Sequence, residues 1–73
     1  MRLPTLRPVK IVKILKKIGF EAIRQTGSHL ILANRMTKKI VPIPIHNKDI
    51  KRGLLMSIIK QTGLTVKEFI KLL

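Results

Sequence analysis

At 73 residues the chain has room for one domain and one core, because a chain this short buries only about 60% of the surface it exposes when unfolded. Cysteine is absent, which excludes disulfides and thiolate metal sites, and two histidines with three acids leave too few ligands for a closed zinc site. Sixteen lysines and arginines against Glu21, Asp49 and Glu68 give a formal charge of +13, and the natural partner of such a surface is a polyanion.

Among polyanions, nucleic acid fits better than membrane. No apolar run approaches the ~18 residues needed to span a bilayer, and the basic residues are scattered along the whole chain rather than gathered on one amphipathic stretch. The segment after Met1-Arg2-Leu3-Pro4 lacks the apolar run and small-residue cleavage site of a secretory signal, so a cytoplasmic protein is expected. Phe20 and Phe69 are the only aromatic residues. Modules that hold unpaired bases by stacking need exposed aromatic platforms, so binding here is expected to rest on phosphate and ribose.

In chain order, residues 1–7 read as an extended lead-in. Pro8 suits the first turn of a helix, where its missing N–H is no loss. Ile11, Ile14, Leu15 and Ile18 then fall at helical spacing, with Val9 and Val12 widening the stripe and Lys10, Lys13 and Lys17 on the other face. Those lysines are either a solvated helix face or phosphate contacts. Gly19 supplies a left-handed cap and Phe20 folds back on the helix end. Phe20–Gln25 is a first strand, Thr26-Gly27-Ser28 a turn, His29–Ala33 a second strand, Asn34–Thr37 a turn and Lys38–Ile45 a third strand. Pro42 and Pro44 remove donors at alternate positions, which places the third strand at a sheet edge. The polar loop from His46 to Asp49 is positioned to cap the next helix through Asn47 or Asp49. That helix runs from about Ile50 to Thr62 with Leu54, Leu55, Ile58 and Ile59 on one face, and Gly63 ends it. Gly53 near its start reflects either a close approach of backbone or phosphate, or a helix that begins later. Thr65-Val66-Lys67-Glu68 is a capping box for a short last helix with Val66, Phe69, Ile70 and Leu73 as its apolar face. The expected fold is α+β: a three-stranded antiparallel sheet with helices on one face, in the order α-β-β-β-α plus a short C-terminal helix, compatible with the double-stranded-RNA-binding fold.

The chemical inventory is narrow. There is no paired-carboxylate site, cysteine nucleophile, Gly-rich nucleotide loop or acid cluster for magnesium. RNA, however, carries its own nucleophile in the 2′-hydroxyl. A histidine that takes its proton, with a cation to hold the charge gathering on phosphate, is a sufficient minimum kit without metal or cofactor. His29 is the candidate: strand alternation groups it with Ile31 and Ala33, while Leu30 and Leu32 form the bulkier core set, so His29 takes the open face. The competing reading is a surface or hydrogen-bonded histidine beside a turn. His46, at the end of the third strand, is an accessory candidate that the sheet can bring towards His29. Ser28 either bonds the turn backbone or touches phosphate.

Four segments stand together in order and spacing: Lys16-Lys17-Ile18-Gly19-Phe20, Arg24-Gln25-Thr26-Gly27-Ser28-His29, Val41-Pro42-Ile43-Pro44-Ile45-His46-Asn47-Lys48-Asp49-Ile50, and Ile58-Ile59-Lys60-Gln61-Thr62-Gly63-Leu64-Thr65 followed by Glu68-Phe69. Taken together they resemble the HicA-type toxins of bacterial and archaeal toxin-antitoxin pairs. The chain departs from many members at Gly53-Leu54, where they carry Gly-Thr, and at Asn47, where they carry glycine. The resemblance spans Val9 to Leu73 and implies a double-stranded-RNA-binding-like fold, cleavage of mRNA, and inhibition by a HicB-type antitoxin. It assigns the catalytic role to His29. Lys13, Lys17, Arg24, Ser28, Lys38 and Lys39 are the expected RNA contacts, and a non-catalytic double-stranded-RNA-binding module is the alternative reading.

Overall fold

A computed structural model of the chain describes residues 3–46 and 48–73. The elements are α1 (Pro8–Lys17), β1 (Phe20–Thr26), β2 (His29–Asn34), β3 (Lys39–Pro44), α2 (Arg52–Thr62) and α3 (Val66–Lys71). The strands form an antiparallel meander in the order β1-β2-β3, so the α+β arrangement read from the sequence is the one observed.

Local chemistry explains most of the boundaries. Pro8 opens α1, and Gly19 turns the chain out of it at φ 101. Gly27 takes φ 57 at the first position of a two-residue hairpin, as a turn matching the strands' right-handed twist requires. Gly63 ends α2 at φ 87. Thr65 and Glu68 close the expected capping box: the Glu68 amide donates to Thr65 Oγ1 at 3.1 Å, and the Thr65 amide donates to Glu68 Oε1 at 2.9 Å. Ile45 donates to the Ser28 carbonyl at 2.6 Å. Backbone polar groups alternate sides along a strand, so Val41, Ile43 and Ile45 face β2 while Pro42 and Pro44 turn their missing donors outward.

The core fills one side of the sheet. Leu32, Val41, Ile43 and Phe20 are buried against Ile11, Ile14 and Leu15 of α1, Leu55, Ile58 and Ile59 of α2, and Phe69 of α3. Leu3 and Ile50 join them, and Ile50 donates to the Leu6 carbonyl at 2.7 Å. The lead-in is therefore packed into the fold rather than merely extended. This pairing also corrects the start of the second helix: Ile50 is held in a bridge, and α2 begins at Arg52. Asp49 caps nothing. The residue preceding α2 is Lys51, with no side-chain cap, while the Asp49 carboxylate accepts from Thr5 Oγ1 at 3.3 Å and faces Arg7 Nε at 3.9 Å. Asn47, the other expected cap, lies outside the described residues.

Other expectations shift by a residue or a face. β1 and β2 each run one residue further, to Thr26 and Asn34, whereas β3 is trimmed to Lys39–Pro44 because Lys38 adopts φ 63 in the turn and Ile45 leaves the strand. Val9 (64% exposed) and Leu54 (45%) sit at the solvent margins of their helices, and Thr62 takes the inner position on α2. Leu73 is likewise exposed, with Leu72 packed against the core in its place. No close approach accounts for Gly53, since a Cβ added there meets nothing within 4 Å.

Asn34 ties these parts together. Its side chain is buried; Nδ2 donates to the Ile18 carbonyl at the end of α1 (3.1 Å), and Oδ1 accepts from the Met36 and Thr37 amides (2.9 and 3.2 Å). Asn34→Ala removes all three bonds and leaves the carbonyl and amides short of partners. A loss of about 2–3 kcal/mol in unfolding free energy is expected, read as a lowered urea midpoint at unchanged slope. A second expectation concerns acid. Thr65, first through its backbone N–H and then through its side chain, holds the Glu68 carboxyl below the ordinary glutamate range. Its contribution to stability is complete above the unfolded value of about 4.3 and is lost as pH falls through the lower folded value. Glu68→Gln should flatten the melting temperature against pH in that acid window and leave the slope above it unchanged.

Candidate nucleic-acid interface

The site is organised by the sheet register. Opposite Leu32 and Leu30 on the core side lie Val41 and Ile43. The other side is uncovered and takes three paired positions from each strand: Glu21, Arg24 and Thr26; His29, Ile31 and Ala33; Ile40, Pro42 and Pro44. His29 is exposed at the first position of β2, between Thr26 on one side and Pro44 on the other.

Strict alternation along β1 would send Arg24 and Thr26 to the core side with Phe20 and Ala22. They reach the open side because the register shifts between Ala22 and Arg24, where Ile23 is inserted as the extra residue of a bulge. Bulges re-aim side chains in this way. Arg24 consequently faces Ile31 and stands diagonal to His29, a separation of roughly 7 Å that a guanidinium readily spans. Of the nine paired positions on this side, Arg24 is the one cation. Periodicity alone could not have placed it there, since a bulge has no composition signal as clear as a turn glycine.

The remaining expected contacts are distributed elsewhere. Lys13 and Lys17 are exposed on α1, on the helix face turned away from Ile11, Ile14 and Leu15, and therefore across the helix layer from His29. Ser28 lies in the hairpin turn and engages Ile45 through its carbonyl. Lys38 and Lys39 sit at the far end of β2, where Lys39 pairs with Asn34, roughly 17 Å from His29 at the rise of a strand. Lys39 also has a packing role. A Cβ built on Gly63 would stand 2.9 Å from Lys39 Cε, so the lysine stem lies across the end of α2 and brings its ammonium towards the negative pole of that helix. His46 follows β3, and its Nδ1 accepts from the Lys48 amide at 3.2 Å; among the described residues Nε2 has no hydrogen-bond partner. His29 is paired with Pro44 rather than with His46. Among the described residues, no three His, Asp or Glu side chains gather as a metal-ligand group, and no helix is long and apolar enough to cross a membrane.

This arrangement is a turn-proximal histidine and a bulge-positioned arginine on the bare side of a strongly basic fold. The family model described as the HicA toxin of bacterial toxin-antitoxin systems matches residues 10–64, from the first turn of α1 to the residue after the α2 cap. The chain belongs to the HicA toxin family. No curated protein sequence matches it closely enough to count as a relative. Membership brings a toxin role and implies an antitoxin partner, and the matched span takes in all of β1, β2, β3 and α2, hence Arg24, His29 and His46 alike.

The packing role of Lys39 is separable from any contact with nucleic acid. Lys39→Ala should lower unfolding free energy by about 0.5–1 kcal/mol, whereas Lys38→Ala should leave it within about 0.5 kcal/mol, as measured by parallel urea titrations.

Proposed function

We propose that this HicA-family toxin is an endoribonuclease that cleaves mRNA in the cytoplasm without a metal ion, using His29 as its proton-transfer group, and that a HicB-type antitoxin restrains it. The observation that carries the reading is the diagonal placement of an exposed His29 and Arg24 on one bare sheet face. In the reaction, the His29 imidazole takes the proton of a ribose 2′-hydroxyl, and the freed oxygen bonds to the adjacent phosphorus. The bond from phosphorus to the 5′-oxygen breaks, and that oxygen receives a proton from the imidazolium or from water. A 2′,3′-cyclic phosphate and a 5′-hydroxyl result. The phosphate gains negative charge on the way, and Arg24 is the cation positioned to hold it.

Binding draws on the wider charge. Lys13, Lys17, Lys38 and Lys39 are too dispersed to meet one phosphate, but together they attract and retain a long polyanion, and such contacts weaken steeply with salt. Ser28, next to His29 in the turn, is a candidate for a phosphate or ribose contact. His46 serves as an accessory through Nε2.

The test is a gel assay of a long single-stranded RNA in excess EDTA. The wild type should produce fragments ending in cyclic phosphate. His29→Ala should slow cleavage by about 10²–10⁴-fold with RNA affinity within about twofold, and Arg24→Gln by about 10²-fold with little change in half-saturating RNA concentration. Lys13→Gln with Lys17→Gln should instead raise that concentration and flatten its salt dependence. RNA that is shifted but left intact by the wild type would make the chain a binding module without catalysis.

A further inference from the structure

Of the six open-face positions on β2 and β3, all but His29 are apolar. Beyond His29, Ile31 lies opposite Pro42, and Ala33 opposite Ile40, so four apolar side chains form a continuous stripe along the sheet. Ile40 is 60% exposed, and no helix of the chain covers that side, because the buried residues of α1, α2 and α3 all belong to the opposite layer. Ile40 stands opposite Ala33 and is therefore roughly 13 Å along the strands from His29.

The chemistry of the stripe selects its occupant. None of the stripe's four side chains is a cation that draws phosphate or an aromatic ring that stacks a base; the neighbouring cation, Arg24, stands opposite Ile31 at the His29 end, and the lysines that attract nucleic acid lie elsewhere. A second copy of the chain would bring another +13 charge against the first. What complements an apolar stripe on so basic a molecule is an acidic protein presenting apolar side chains. We propose that the stripe Ile31-Ala33-Ile40-Pro42 is the docking surface for the antitoxin chain, with Ile40 as its anchor. This rests on the partner that toxin-antitoxin membership implies. It goes further in placing the energetic centre of the complex on the apolar end of the face rather than on His29 itself. Recognition of the antitoxin and cleavage then use different residues.

The experiment uses the protein encoded beside this chain's own gene, titrated against the purified toxin. Ile40→Asp should weaken binding by at least about 30-fold, since it sets a carboxylate against an acidic partner, while its RNA cleavage stays within about twofold of wild type. The milder Ile40→Thr, which keeps a branched strand residue at an exposed position, should weaken binding by about tenfold. Independently of any variant, hydrogen exchange at the Ile40 amide, which points away from β2, should slow in the wild-type complex. Unchanged affinity of Ile40→Asp, or protection confined to the lysine face of α1, would overturn the docking surface while leaving the partner in place. A wild type that the neighbouring protein does not bind would overturn the partner reading as well. Loss of RNA cleavage in Ile40→Asp with antitoxin binding retained would assign the stripe to RNA instead.

Discussion

The amide side chain of Asn34 is where the layers of this fold are held in register. Its donor holds the last carbonyl of α1's C-terminal turn, its acceptor gathers the tight turn into β3, and its backbone sits opposite Phe20, the first residue of β1. The end of the first helix, the start of the first strand and the β2–β3 hairpin are thus fastened to one buried residue. Gly19 is part of the same fastening: a Cβ there would come within 3.2 Å of Asn34 Nδ2, and its φ of 101 already disfavours any side chain. With α1 anchored at this end, its apolar stripe lies on the sheet side opposite His29.

One-sided cover then determines how the chemistry is divided. The helix layer carries many of the lysines, which supply long-range attraction for a polyanion. The bare layer holds few charges, among them Arg24, and these stand exposed beside isoleucine and proline side chains, so that a docked strand would cover charge and apolar surface together. A charge on such a surface interacts more strongly with a docked phosphate than one on a freely solvated helix face. On the proposed function, attraction and local stabilisation are served by different faces, linked through the hairpin at Gly27 and Ser28.

Much of this was legible in the sequence because it is local. Pro8, Gly19, Gly63 and the Thr65–Glu68 box each announce a helix end within four residues, and the alternation from His29 to Leu32 shows which side the imidazole takes. What escaped was non-local. Asn34 reads as an ordinary turn residue until the Ile18 carbonyl is folded onto it. Leu3, Leu6 and Ile50 have no shared periodicity, yet they pack or pair together, and that pairing delays α2 to Arg52. The bulge at Ile23 is the most consequential omission for the site, because one unpaired residue exchanges the faces of Arg24 and Thr26.

The prolines of β3 carry a consequence for how copies of this molecule meet. With Pro42 and Pro44 turned outward, Ile40 alone among the outward-facing residues of β3 keeps an amide donor, so that edge cannot template a neighbouring strand. The sheet retains a single pairable border, along β1. Growth of a continuous ladder from molecule to molecule needs two such borders, one to receive and one to extend. Strand pairing between copies through these edges therefore closes on itself after two chains instead of running on as a continuous ladder.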